Sequence, residues 1–320
     1  MDEVQGEIRA PAPVEGKRHN LFVDVVVRMV KTKPLGTVGA VIVLILFVTG
    51  IFADLLAPFG YNEMFLVDRL AGPSATHFLG TDHLGRDMLS RIIYGARISM
   101  IIGVVGSLFA ITVSIAIGLV SGYVGGKTDM IVQRFVDAWM SIPSLMILLT
   151  LMTILGPGLW QVVCVLGPVF GIRGSRITRS AVIAIKENMY VAASKAIGAP
   201  TGRILTKHIL PNVMAPIIIS FTTSMGMVIL MEATISFLGF GIPPPTPSWG
   251  GMLSGPGRQY MTIAPWLVFW PGLALALVVY GINMLGDALR DLLDPRLRGG
   301  LGRYGRVKVS GSVVGSQTEK

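Results

Sequence analysis

Residues 138–172 read AWMSIPSLMILLTLMTILGPGLWQVVCVLGPVFGI, with no charged residue from Ala138 to Ile172. A bilayer core takes about 20 residues of helix per crossing, so this run is too long for one. Gly156-Pro157-Gly158 sits in its middle, a triplet that no helix interior tolerates. The run is therefore two crossings joined by a turn. Four further uncharged runs, Leu35–Ala53, Ile98–Gly126, Ile209–Met231 and Gln259–Gly286, each suffice for one crossing. The expectation is an all-α membrane protein with six transmembrane helices. The fourth, about Leu159 to Ile172, is the shortest and contains Gly167-Pro168. It is expected to reach the surface by drawing Arg173 and Arg176 into the headgroup layer, where long basic side chains snorkel.

Composition agrees. The 320 residues are 52% hydrophobic and 14% charged, with a mean hydropathy of +0.67, against about 25% charged residues in soluble domains. The net charge of +9 is not a nucleic-acid footprint, because its placement follows the membrane. With both termini in the cytoplasm, 22 of the 27 Lys and Arg fall on inside segments, and only Arg69, Arg86, Arg91, Arg97 and Arg258 lie outside. That bias fixes the expected orientation, a multi-pass chain with both termini in the cytoplasm. The single cysteine, Cys164, falls inside the fourth span, so there is no disulfide framework. The first apolar run begins about 35 residues in and is long enough to stay in the membrane, so no cleavable leader is expected.

Residues 1–34 read as a cytoplasmic tail, with 1–20 lacking periodicity; 299–320 read the same way, leaving a membrane domain over 35–298. Between spans one and two, Asp82 stands four residues before Arg86, and Asp87 four before Arg91. This is the favourable helical orientation and predicts a short surface helix leading into span two. Small residues recur along that span at Ser99, Gly103, Ser107, Ser114, Gly118, Gly122 and Gly126. Such ladders let helix backbones approach closely in lipid; bundle packing is the plainer reading beside a dimer seam. The inside loop of about 173–211 is patterned rather than linker-like. It predicts a short amphipathic helix around Glu187–Ile197, a turn at Gly198-Ala199-Pro200, and a second helix leading to Leu210-Pro211. A structured loop of that length points to a docking surface, against the alternative of a helix lying on headgroups.

Gly125-Gly126-Lys127-Thr128 ends like a phosphate-binding loop, but position 121 is Ser and a membrane helix leads in. The pattern needs a Gly there and a strand before it, so the reading is a turn between spans two and three. No HExxH, CxxC or GxSxG motif occurs, and the four histidines, His19, His77, His83 and His208, are scattered. No metal site, cofactor site or catalytic residue is expected. Charges at membrane depth cost about 2.5–3.5 kcal/mol or more and so face a partner or a watery cavity. Asp137 in span three has Arg134 three residues away, favouring a structural ion pair near the inner surface over a place on a path. Glu232 in span five has no base in its own helix; Thr223, Ser224 and Ser236 share its face. Two readings stand for it: a gate or path residue near the outer end of its helix, or an ion pair seating the outer loop, with Arg97 as partner. Pro143, between Ser141 and Ser144, should kink span three, with serine hydroxyls re-satisfying the freed backbone.

Four stretches, in order, resemble one family. HFLGTDHLGRDMLSRIIYGARIS (77–99), ISFLGFGIPPPTPSWGGML (235–253) and GDALRDLLDPRLR (286–298) are similar to segments of the C-type permease subunits of binding-protein-dependent ABC importers, in the dipeptide, oligopeptide and nickel group. YVAASKAIGAPTGRILTKHILPN (190–212) resembles the importer coupling loop, an E-A-A, three residues, G pattern ending in L-P. One departure stands out: Ala192 occupies the position of the motif's Glu, followed by Ala193-Ser194, whereas Gly198, His208, Leu210 and Pro211 fit. The resemblance implies a type I importer core built from spans two to six, with span one packed outside. It implies a coupling surface carried by Tyr190, Ala192, Ala193, Gly198, Ala199, Arg203, His208, Leu210 and Pro211, and it supports the position of Glu232, which with Ser224, Asp137 and Pro143 makes up the expected path or gate residues. The implied partners are a homologous second permease, two cytoplasmic ATPase subunits that bind ATP and Mg, an extracytoplasmic solute-binding protein, and membrane lipid. The implied cargo is a peptide, with a nickel complex, glutathione or another small solute as alternatives. A secondary carrier would need an ion-coupling site and usually internal repeats, and an intramembrane enzyme a catalytic pair at membrane depth; the sequence offers neither.

Overall fold

The computed structural model describes residues 21–293, with side-chain surroundings from residue 26 onward. The expected tails, 1–20 and 299–320, lie outside the described residues, as does the end of the 286–298 motif beyond Leu293. Apart from an isolated bridge between Thr81 and Asp87, regular structure among the described residues is helical. Helix α1 (Leu21–Thr32) leads through Lys33 into α2 (Pro34–Ile51), where proline opens the helix at a position that needs no N–H donor. Helix α3 runs from Met88 to Val124, then Gly125 and Gly126, both at positive φ (70° and 57°), turn the chain into α4 (Gly126–Ser141). The phosphate-loop lookalike is thus an interhelical turn. Helix α5 (Ser144–Leu155) ends at Gly156, and α6 runs from Leu159 to Lys186. A short helix, α7 (Met189–Ala196), precedes the long α8 (Thr201–Phe237). Two short helices, α9 (Trp249–Leu253) and α10 (Gly255–Tyr260), lead into α11 (Trp266–Leu293).

Four helices, α2, α3, α8 and α11, are long and apolar enough to cross a membrane. The pair α4 and α5 passes the same test together, but is bent by 87°. Pro143 therefore does more than kink span three. Having no N–H, it cannot continue the ladder, and it holds the preceding Ile142 extended (φ −90°, ψ 130°). The Ser141 hydroxyl donates to the Ala138 carbonyl at 2.7 Å, taking up the acceptor that a continued helix would have offered to Ile142.

Three further expectations are corrected. The fourth span does not stop near Ile172. Helix α6 is 28 residues long and runs on to Lys186, because Arg173, Arg176 and Ser180 fall on its exposed side while Ile172, Ser175, Thr178 and Val182 stay buried. The start of the 173–211 loop is therefore rigid helix. The last span begins at Trp266, well inside the uncharged run from Gln259, since 259–260 ends α10 and 261–265 connects it to α11. The surface helix over 82–91 is absent. The Asp82 carboxylate accepts from the backbone N–H groups of Leu84 (2.8 Å) and Arg86 (3.0 Å), and Gly85 sits at φ +75°, which closes a tight turn instead. Helix α3 then starts at Met88, capped by Asp87, whose Oδ2 accepts from Ser90 N at 2.7 Å.

Small residues set how closely the helices pack. A Cβ on Gly118 would lie 2.6 Å from Thr178 Cβ, and one on Gly171 would lie 2.6 Å from the Ala110 carbonyl. Ser114 and Thr178 share a hydroxyl hydrogen bond of 2.8 Å across the same seam. The ladder on α3 is thus used within the chain, against α6. Helix α2 lies on α11 in the same manner, Gly39 against the Gly281 carbonyl, and Lys33 pairs with Asp291. Span one is packed against α3 and α11 at the side of the bundle, through the cluster of Leu46, Ala96, Val278 and Ile282. Within α3, Ile102–Gly106 forms a wide π-turn, with Gly103 against Ile229 and Gly106 against Val228 of α8. The two ends of the bundle differ: one carries 57–87, 156–158 and 238–265, the other carries Gly125 and 187–213.

Candidate functional site

At the Gly198 end, α7 and the start of α8 form a helical hook. Asn188 opens α7 in extended backbone, its Nδ2 donating to the Ile185 carbonyl at 3.0 Å. Gly198 closes α7 at φ +78°, with its N–H on Lys195 O (3.0 Å) and the Ala199 N–H on Ser194 O (3.1 Å). This is the left-handed C-terminal turn that glycine adopts without steric cost. Pro200, in extended backbone, precedes α8, and Ile204–Ile209 takes a π conformation before Leu210-Pro211.

The hook has a buried root and a bare crown. Val191, Ile204, Ile209 and Val213 join Tyr123, Val182 and Ile217 in one apolar cluster. Met189 is 87% exposed and Ile197 85%, and Tyr190, Ala192, Ala193, Arg203 and Pro211 are exposed too, while Ala199, His208 and Leu210 are half-buried. His208 joins the two limbs, its Nε2 lying 3.4 Å from Ser194 Oγ and its ring against Tyr190. The carboxylate-free position, Ala192, points a methyl group outward. Sequence reasoning missed the brace beneath. Lys186 and Lys195 both lie over the Tyr123 ring, 5.8 and 5.4 Å from its centroid, a cation–π contact that ties the hook to the end of α3.

Asp137 pairs with Arg134 (3.7 Å), as its spacing implied, and with Arg176 of α6, which sequence spacing does not reveal. The carboxylate is 44% exposed. Nearby, Asp129 accepts from Arg179 Nε at 2.7 Å and also from Ser121, joining α3, α4 and α6.

Glu232 is fully buried near the opposite end of α8. Its Oε1 accepts from Ser236 Oγ at 2.7 Å, Ser248 flanks it, and its Oε2 has no partner. Arg97 is not its counter-ion: that guanidinium pairs with Asp54 (2.7 Å) and donates to the Gly50 carbonyl. Ser236 in turn accepts from Ile242 N at 3.2 Å, so the carboxylate holds the 238–248 loop through one hydroxyl. Ser224 is half-buried two turns away on the same helix, and Pro143 lies at the break between α4 and α5. Glu232 and Asp137 share no partner, so the structure does not gather these four residues into one site. Among the described residues, no group of three or more His, Cys, Asp or Glu side chains is arranged to hold a metal ion.

Residues 114–299 match the profile of the binding-protein-dependent transport system inner membrane component family. The chain belongs to that family. Residues 22–73 of this inner membrane component also match the N-terminal transmembrane domain of oligopeptide transport permease C. It is 41% identical over 275 residues to the dipeptide transport system permease protein DppC of Alkalihalophilus pseudofirmus, covering 85% of this chain and 89% of that one. It is 37% identical over 285 residues to the oligopeptide transport system permease protein OppC of Bacillus subtilis, covering 89% and 93%. It is 38% identical to the glutathione transport system permease protein GsiD of Pectobacterium atrosepticum, covering 80% and 85%. In fold it resembles a chain of the inward-facing MetNI methionine ABC transporter, with a TM-score of 0.53 and 20% identity over 65% of this chain and 98% of that one. The family consists of transport-system membrane components rather than enzymes, and its inner membrane component is a multi-pass helical protein.

Proposed function

We propose that this chain is the C-type permease subunit of an ATP-driven importer of di- or oligopeptides and forms half of the translocation path. The observation that carries this reading is the hook of α7 and α8, rooted in the bundle yet presenting Met189 and Ile197 almost fully to its surroundings. Large apolar side chains so exposed at a rigid, capped turn suit a groove on a partner. In this reading the partners there are two ATPase subunits, which bind the ATP and Mg, and the Gly198 end with both termini faces the cytoplasm. Helix α6 is then a sixth crossing beside the five apolar ones. A homologous permease completes the path, and a solute-binding protein delivers cargo at the Trp249 end. Coupling is a free-energy difference between two bundle states, biased by the ATPases through the hook. Glu232, Ser224, Asp137 and Pro143 are the path or gate residues of this reading.

The peptide cargo rests on the dipeptide and oligopeptide permeases that this chain resembles. Glutathione, itself a tripeptide, is the second reading, favoured by the similarity to a glutathione permease. The test is co-purification in detergent with the ATPases encoded beside it, followed by reconstitution with the binding protein. Expected is ATP-driven uptake of labelled trialanine that disappears when this chain is omitted. Proton-driven uptake by the lone chain, or no associated ATPase, overturns the proposal.

A further inference from the structure

At the Trp249 end, between the 77–91 segment and the loops around α9, lies a cavity of about 410 Å³. Met88, Met252, Leu267 and Ile242 give it apolar walls. Arg86 and Arg91 line it too, although their side chains are only 7% and 9% exposed. Both guanidiniums depend on a single carboxylate, Asp82, at 2.7 Å from Arg86 Nε and 3.7 Å from Arg91 Nε. Its Oδ1 already accepts from the backbone N–H groups of Leu84 and Arg86, which leaves Oδ2 to face both guanidiniums. Each guanidinium is also fixed by its Nη1, Arg86 on Asn62 Oδ1 (3.4 Å), Arg91 on the carbonyls of Tyr61 (3.0 Å) and Pro245 (3.5 Å). Among the described residues, neither Nη2 makes a hydrogen bond. Two further acids pair with neither arginine: Asp87, next to Arg86, is taken up by His77 and Ser90, and Glu232 stands behind Ser236 and Ser248 of the far wall.

Two nearly buried cations therefore share one anion beside the cavity. A buried charge left uncompensated is costly, and rigid guanidinium forks with spare donors match a carboxylate. Concave volume with apolar walls and few fixed polar groups suits a small solute rather than a flat protein surface. We infer that this cavity is a binding site for a small solute with a free carboxylate, recognised by Arg86 and Arg91. Resting on the importer reading above, the solute is the cargo peptide and the recognised group its C-terminus. The cavity would hold cargo released by the binding protein before it enters the path.

The complex of permeases and ATPases, in nanodiscs and without the binding protein, is titrated calorimetrically with trialanine and with trialanine amide. Trialanine should bind saturably, and the amide at least tenfold more weakly. Thr246→Trp, which fills the cavity from its rim, should abolish binding in a complex that still assembles; Arg91→Gln should erase the preference for acid over amide. Equal binding of acid and amide, or no saturable binding of trialanine, overturns the site. Normal ATP-driven uptake through the complete system in that case leaves the importer reading standing, so the two failures are distinguishable.

Discussion

Gly198→Val isolates backbone conformation from packing at the hook. A Cβ at Gly198 would meet nothing within 4 Å, so the valine clashes with no neighbour, and the whole effect arises from φ +78°. Holding a residue with a Cβ in the left-handed region costs about 1–2 kcal/mol, with β-branched residues at the upper end. If the ATPases bind only the native turn, affinity should fall by about five- to thirty-fold. Asn, which tolerates this region, should cost much less than Ala, and Ala less than Val. Gly126 supplies an internal control: it too has positive φ (57°) and open space around its Cβ, but lies at the turn between α3 and α4. Gly126→Val should carry a similar strain without weakening ATPase association. The assay is ATPase co-purification and titration against the reconstituted permease pair, with thermal unfolding of the bundle recorded in parallel. Parental affinity for Gly198→Val, or equal losses for both glycines, would refute the assignment of the hook as the docking element.

Glu232→Gln should assemble normally, since the amide oxygen still accepts from Ser236, yet cut uptake severalfold with ATP hydrolysis less affected; parental transport removes Glu232 from the path. Lys127→Ala should leave ATPase activity of the assembled complex nearly intact, because Lys127 lies in the first turn of α4, just after the interhelical turn; a loss as complete as that of a catalytic lysine would contradict this. Tyr123→Leu preserves burial but removes the ring under Lys186 and Lys195. It should lower transport per ATP hydrolysed while Tyr123→Phe restores it; equal behaviour of the two variants would show that the ring has no bracing role. Gly118→Leu should lower the bundle's melting temperature markedly, as its Cβ alone would sit 2.6 Å from Thr178, and an unchanged melting temperature would mean that the α3–α6 seam is not as close as described.

What lipid and proline impose was legible in the sequence. The uncharged runs found α2, α3, α8 and α11, Gly156-Pro157-Gly158 found the turn before α6, and Gly198-Ala199-Pro200 found the end of α7, because each is a local constraint with a local signature. Long-range electrostatics left no such trace. Asp129 and Arg179 are 50 residues apart, and Asp137 and Arg176 are 39 apart, so neither pair follows from helical spacing. Spacing even misled at Asp82 and Asp87, where a glycine turn and a helix cap take the carboxylates that a surface helix would have used. The charges from Arg173 onward suggested the end of a span, whereas they line the exposed side of a helix that continues. A reading of Asp87 as a cap was available, since it precedes an apolar run and follows the Gly85 break.

The π-turn at Ile102–Gly106 has a consequence for how α3 serves two neighbours. Residues spaced by four overshoot a 3.6-residue turn, so a ladder built on them precesses by about 40° per step. Within the wide turn, Gly103 and Gly106 meet α8; beyond it, Gly118 and Gly122 meet α6. The extra residue in the turn sets the angular offset between these two contact faces, much as a vernier sets one scale against another. Deleting one residue there would let the helix regularise with the distal half close to its present orientation, whereas a deletion in the regular helix between Gly106 and Gly118 would swing that half by about 100° and carry Gly118 away from Thr178. The wide turn is therefore the place where α3 tolerates a change of length.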